Sequence, residues 1–166
     1  MKKIKKYFLL IFILINILYV APTYSLSSRQ DLFKNALNLS SNGNFNLALQ
    51  EWNQYLELFP NDAAALSNRG NIKLVVGDPE GSIDDQEKAI NLDPDELDPY
   101  INRGIAEESL GLWLKAKKDY LFVLSKDSDN FSALYNYANV EGSLLNWQSA
   151  RNLFSKASES NPGFAM

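Results

Sequence analysis

Residues 63–96 read AAALSNRGNIKLVVGDPEGSIDDQEKAINLDPDE, and residues 97–130 read LDPYINRGIAEESLGLWLKAKKDYLFVLSKDSDN. Laid one over the other, the two stretches share Asn-Arg-Gly near the start, a second glycine seven residues on and an aspartate eight residues after that. The step between matching residues is 34. The step extends in both directions: Gly43, Gly77 and Gly111 keep it, as do Ala36, Gly70, Gly104 and Ala138, and Ala48, Ser82, Ala116 and Ala150. Pro60, Pro94, Ser128 and Pro162 form a fourth column. Four units therefore tile the chain without insertion, at 29–62, 63–96, 97–130 and 131–164. A fixed period of this length marks an array of supersecondary units, each burying its apolar face on its neighbours.

Within a unit the apolar spacing gives two amphipathic helices joined by a turn. Gly77 ends the first helix, where a left-handed backbone suits glycine. Asp78 suits the N-cap of the next helix and Pro79 its first turn. Pro60, Pro94 and Pro162 stop the second helices, because proline cannot continue one. First helices are expected near 30–42, 63–76, 97–110 and 131–144. Second helices are expected near 46–58, 80–92, 114–126 and 148–160.

The columns resemble the tetratricopeptide-repeat family, over essentially all of the chain after residue 28. That pattern has a large residue at unit position 4, small ones at 8 and 20, Gly at 15, an aromatic at 24, Ala at 27 and Pro at 32. Unit 1 supplies Leu32, Ala36, Gly43, Ala48, Trp52 and Pro60; unit 3 supplies Tyr100, Gly104, Gly111, Ala116 and Tyr120. Tyr55, Gln86, Val123, Ser128 and Leu145 depart from it singly. The resemblance implies an all-α, right-handed α-solenoid of four helix-turn-helix units, with the first helices on the concave face.

By that resemblance, unit positions 2, 5, 6, 9, 12 and 13 face the groove. Position 6 holds Lys34, Asn68, Asn102 and Asn136, and position 9 adds Asn71 and Asn139. An amide offers donors and an acceptor, so an asparagine ladder can pair with a peptide backbone without reading its side chains. Phe33, Ile101, Ile105 and Tyr135 are expected to add apolar contacts. The plain alternative is a solvated helix face. A clamp for two carboxylates, known in this family, is not expected. Ser67, Ser132 and Asn136, or Phe33, Leu37 and Asp98, stand where its cations would be.

Other polar residues read as structural. Arg69 with Asp85, and Arg103 with Asp119, occupy positions 7 and 23 of their units, and both change together in unit 4, to Tyr137 and Leu153. They are expected to form exposed pairs between the two helices of a unit. The run Asp93, Asp95, Glu96, Asp98 lacks the spacing of a calcium loop. Asp95 and Glu96 are expected at the start of a helix, where negative charge is favourable. Trp52 is expected in the core, and Trp113 and Trp147 half-buried beside the turns.

Composition narrows the chemistry. The chain is 46% apolar and 22% charged, with no cysteine and no histidine. Disulfides and thiolate metal sites are absent, and so is the commonest acid–base group. The expectation is a protein that is not an enzyme and uses no cofactor or metal. Four of the basic residues are Lys2, Lys3, Lys5 and Lys6; the rest of the chain carries 12 basic and 20 acidic residues, a net −8. Such a body repels nucleic acid.

The head of the chain has its own pattern. Four lysines precede YFLLIFILINILYV at 7–20, and Thr23 and Ser25 are small. This is the order of a secretory signal over 1–25, cut after Ser25. The apolar run is short of the roughly 20 residues that span a membrane, which leaves an uncleaved anchor as the alternative. Export to the periplasm or the cell exterior is expected, or to the thylakoid lumen in a photosynthetic cell. Membrane contact is expected only through 7–20. The chain stops two residues into a fifth unit. A longer parent protein, or a bare end that docks a partner, would each account for that. Together these features imply an exported scaffold for a peptide or protein partner that aids complex assembly, or else an accessory subunit of an envelope or secretion enzyme.

Overall fold

The structure, a computed structural model, describes residues 26–161 and Gly163. The signal or anchor segment expected over 1–25, and the helix stop expected at Pro162, lie outside the described residues. Among those described there are eight helices and no strand. In chain order they are α1 (Leu26–Ser41), α2 (Phe45–Leu58), α3 (Ala63–Val75), α4 (Pro79–Leu92), α5 (Asp98–Ser109), α6 (Trp113–Lys126), α7 (Phe131–Ser143) and α8 (Trp147–Ser160). They form a right-handed α-solenoid of antiparallel helix pairs.

The turn inside each pair is set by one residue with positive φ. Gly43, Gly77 and Gly111 have φ of 76°, 90° and 71°, and Leu145 fills the same place at 63°. The chain then folds back so that the next amide donates to a carbonyl five residues earlier, as Asp78 N does to Lys73 O at 2.8 Å and Asn146 N to Glu141 O at 2.8 Å. Such a turn satisfies carbonyls that the helix end leaves open. The Asp78 side chain accepts from Gly81 N at 2.9 Å, and Asp62 and Asn130 cap α3 and α7 in the same way, each at 3.0 Å. Helix α5 begins at Asp98, so Asp95 and Glu96 precede it and Asp98 is its first-turn acid. This corrects the expected start: Pro99 is tolerated only in the first turn, and it fixes the helix origin beside it.

Each helix packs on its chain neighbours. In addition, α1 touches α3, α3 touches α5 and α5 touches α7, while successive second helices do not meet. The first helices therefore crowd the inner face of the curve. Within a pair, small residues permit close approach. Ala36, Ala48, Ala116 and Ala138 are fully buried. A Cβ on Gly70 would lie 2.6 Å from Gln86 Nε2, and one on Gly104 would lie 2.6 Å from the Tyr120 ring.

The apolar core of the described residues falls into two clusters. One joins units 1 and 2 around Trp52, Tyr55 and Leu66; the other joins units 3 and 4 around Ile101, Tyr120 and Val140. Phe33 meets Trp52 and Tyr55 edge-on, with centroids at 4.9 and 5.5 Å. Trp52 is buried as expected and donates Nε1–H to Ser40 Oγ at 3.0 Å. Trp113 is half-buried and joins the second cluster along with Tyr137 and Leu144 of unit 4. Trp147 is instead 65% exposed. No helix follows α8 among the described residues, so nothing there plays for Trp147 the part that unit 4 plays for Trp113.

Between the two clusters the interior is polar. Ser82, Asp85 and Gln86 of α4 and Glu107 of α5 are buried. Arg69 holds Asp85 through two hydrogen bonds of 2.7 Å, and Lys73 adds a contact of 2.9 Å. Arg103 holds Asp119 in the same forked way, again at 2.7 Å twice. Both pairs join the helices of one unit, but they are not exposed: Asp85 is fully buried and Asp119 nearly so. Burial alone would raise the Asp85 pKa. The hydrogen bonds and charge of Arg69 and Lys73 outweigh it and hold the carboxyl below its usual range. In unit 4 no such pair exists; Lys117 crosses from unit 3 to buried Glu141 at 2.6 Å.

Two stability outcomes follow from this packing. Leu145→Gly relieves a left-handed leucine and is expected to stabilise the fold by about 1 kcal/mol, read as a higher midpoint in thermal unfolding. Asp85→Ala strands two cations inside the protein and is expected to destabilise it by about 3 kcal/mol, read by urea denaturation at neutral pH. The Asp85 contribution is present above the ordinary carboxylate pKa and is lost as pH falls through the lowered folded value.

Candidate peptide groove

The inner face carries a cleft of about 280 Å³ where units 2 and 3 meet. Ala63, Ala64, Ser67, Asn68 and Asn71 of α3 form one side, and Pro99 and Asn102 of α5 lie opposite. The register explains the grouping: positions 5, 6 and 9 of α3 and position 6 of α5 share the inward face, and Ala63 and Ala64 are too small to fill the space. Ala89 closes it from behind, Asp93 and Glu96 line it from the connection between α4 and α5, and Asp98 lines it from the first turn of α5.

Three of the expected asparagines thus meet in one place, but each is already engaged. Asn68 donates to Ala64 O at 2.8 Å on its own helix. Asn102 donates to Ser67 Oγ at 3.3 Å across the unit boundary. Asn71 accepts at Oδ1 from Gln86 Nε2 at 3.2 Å. The same Gln86 nitrogen donates to Ser67 O at 2.9 Å, while its Oε1 is buried with no hydrogen-bond partner. Asn136 and Asn139 lie further along, half-buried.

The apolar residues expected beside the ladder separate. Ile101 is only 6% exposed and belongs to the second core cluster, so it is not a groove contact. Its position lies at the edge of the inward face, and a branched apolar chain there turns to the core. Phe33 is half-buried against the first cluster, and one edge borders a shallow recess with Arg29, Gln30 and Tyr55. Ile105 is exposed. Tyr135 lies 5.9 Å from the Phe131 ring and 5.4 Å from that of Phe154, in a separate recess of about 320 Å³ on α7 and α8. Lys34 is exposed near the N-terminal end of the groove.

The sequence reading does not single out Asp93 and Glu96 as lining residues, because the acidic run is weighed only as a calcium loop and as helix-start chemistry; Asp98, at inward-facing position 2, enters only as the wrong charge for a two-carboxylate clamp. It also missed Lys73, Glu107 and Glu141, which share unit position 11 and follow position 7 by one helical turn. Glu107 is the one with unusual protonation. Burial, then the neighbouring Asp119, push its pKa up to about 7, against a smaller opposing pull from Arg103 and Lys115. Its Oε2 has no partner. Glu108 is also raised by burial, while the hydrogen bond it accepts from Tyr120 acts the other way. Among the described residues no three Asp, Glu, His or Cys side chains group as metal ligands.

No protein-family model matches the chain. It is 35% identical over 63 residues to tetratricopeptide repeat protein 36 of Danio rerio, covering 38% of this chain and 34% of that one. Across the curated relatives it matches, the chain spans about a third of their length or less. Among solved structures, MamA of Desulfovibrio magneticus superposes with a TM-score of 0.74 at 16% identity, over 83% of this chain and 78% of that one. The first tetratricopeptide-repeat domain of Spaghetti, bound to the HSP90 peptide SRMEEVD, gives 0.68 at 21% identity, over 73% and 96%. The fold is thus that of the tetratricopeptide-repeat solenoids.

The Glu107 site gives a signed pH dependence. Its folded pKa is raised, so its contribution is full below the unfolded value near 4.5 and is lost as pH rises through about 7. Glu107→Gln is expected to stabilise the protein at pH 8 by about 1–3 kcal/mol relative to its effect at pH 4. Urea unfolding at the two pH values checks this; an equal effect at both would contradict the burial of a carboxyl that prefers its proton.

Proposed function

We propose that this chain is an exported interaction scaffold that holds a peptide or protein partner along its inner face and helps assemble a complex. The observation that carries this reading is the meeting of Asn68, Asn71 and Asn102 in one cleft between two successive units. Polar groups that converge in a concavity, set on rigid helices, are the usual form of a recognition site. The Spaghetti domain, of similar fold, holds a peptide, which supports the same use here. The absence of histidine and cysteine from the sequence agrees with a role in binding and not in catalysis. Export is supported by the basic, apolar and small-residue order of 1–25. The destination is the periplasm, the cell exterior or a thylakoid lumen, with an uncleaved membrane anchor as the alternative.

A second reading, docking as an accessory subunit of an envelope or secretion enzyme, draws on the recess around Phe131, Tyr135, Arg151 and Phe154 at the far end of the array. An affinity pull-down from exported fractions separates the two, comparing wild type with Asn68→Ala/Asn102→Ala/Asn136→Ala. Loss of a specific partner in the variant is the expected result. A partner retained undiminished by the variant moves the binding surface away from the groove and favours the end recess.

A further inference from the structure

The cleft between units 2 and 3 is rich in acceptors and its charge is all negative. Three carboxylates line it, from Asp93, Glu96 and Asp98, and no lysine or arginine does. Asn68 and Asn102 each commit one amide N–H within the cleft wall, to Ala64 O and Ser67 Oγ, while Asn71 accepts at Oδ1 and keeps its NH2. Behind the lining residues, Gln86 presses its nitrogen on Ser67 O and Asn71 Oδ1, and its Oε1 is buried without a donor. The fixed charge of the site is wholly acidic, and its donors are neutral ones, the asparagine amides and the Ser67 hydroxyl.

We propose that this cleft takes the lysine or arginine side chain of an extended peptide. The inference rests on the peptide-scaffold reading and gives it a sign. A volume of about 280 Å³ falls just below the range of ligand pockets, about 300 to 1,000 Å³. It suits one long side chain better than a whole small molecule. A lysine or arginine brings donors only, and positive charge to match the three carboxylates. An acidic peptide such as the one held by the Spaghetti domain would meet like charge here. The body's net −8 points to the same kind of partner at longer range.

A random hexapeptide library with acetylated N-termini, screened on the full chain, tests this. Acetylation removes the α-amino group as a competing cation. Enrichment of lysine or arginine in the selected peptides is expected. Their affinity should fall about tenfold for Asp93→Asn/Glu96→Gln/Asp98→Asn, and should weaken with added salt. Asp93→Lys gives a second check with little risk to folding, because a cation is favourable at the C-terminal end of α4; it should weaken the same peptides at least as much. Circular dichroism confirms that both variants remain helical. Selected peptides without basic enrichment, indifferent to both acidic-site variants but lost with Asn68→Ala/Asn102→Ala/Asn136→Ala, would overturn the cation preference and leave the groove reading standing. Selection of no peptide at all would overturn both.

Discussion

Everything in this molecule depends on how closely the two helices of a unit can approach. Positions 8 and 20 are small in every unit: Ala36 and Ala48, Gly70 and Ser82, Gly104 and Ala116, Ala138 and Ala150. The side chain at position 24 then lies across position 8, so close that at Gly70 and Gly104 even a methyl group would collide with it. Dispersion and burial depend on such contact distances. A bulkier residue at either position would splay the pair, tilt the next unit and change the curve of the inner face. The groove is thus a product of small side chains placed far from any ligand.

The electrostatics follow from the same packing. Once a pair is drawn together, positions 7, 11 and 23 lose their water and must satisfy each other. Unit 2 does this with Arg69, Lys73 and Asp85, two cations on one carboxylate. Unit 3 has Arg103 and Asp119 with Glu107 beside them, and the surplus acid keeps its proton to near neutral pH. Unit 4 drops the pair and answers Glu141 with Lys117 from unit 3. One backbone scheme therefore accommodates three charge arrangements.

Much of the fold was legible in the sequence, because it is written in columns. Gly77 and its equivalents announced the turns, and Asp78-Pro79 the helix start; the pairing of Arg69 with Asp85 and of Arg103 with Asp119 could be read from their joint replacement in unit 4. The site was less legible, because a column gives a helix face but not the rotamer or the neighbour across the boundary. Ile101 stands in an inward column yet turns to the core, since it is branched and apolar at the edge of that face. Asn68 and Asn102 stand where expected, but their engagement with Ala64 and Ser67 depends on the exact approach of two helices. Trp147 shares its column with Trp113, yet one is exposed and the other packs on the second core cluster, a difference the column does not carry.

Gln86 was a single departure from an aromatic column. In the structure it marks the place where the apolar core is interrupted, between the cluster of units 1 and 2 and that of units 3 and 4. In a linear array each interface bears its own share of the elastic resistance to bending. Across the boundary of units 2 and 3 the polar side-chain contacts include Asn102 to Ser67 at 3.3 Å and Arg103 to Glu87 at 4.0 Å. The cleft opens across that same boundary, with α3 on one side and α5 on the other. An occupant that touches both sides would add contacts between the two halves of the array at the place where their apolar cores do not join.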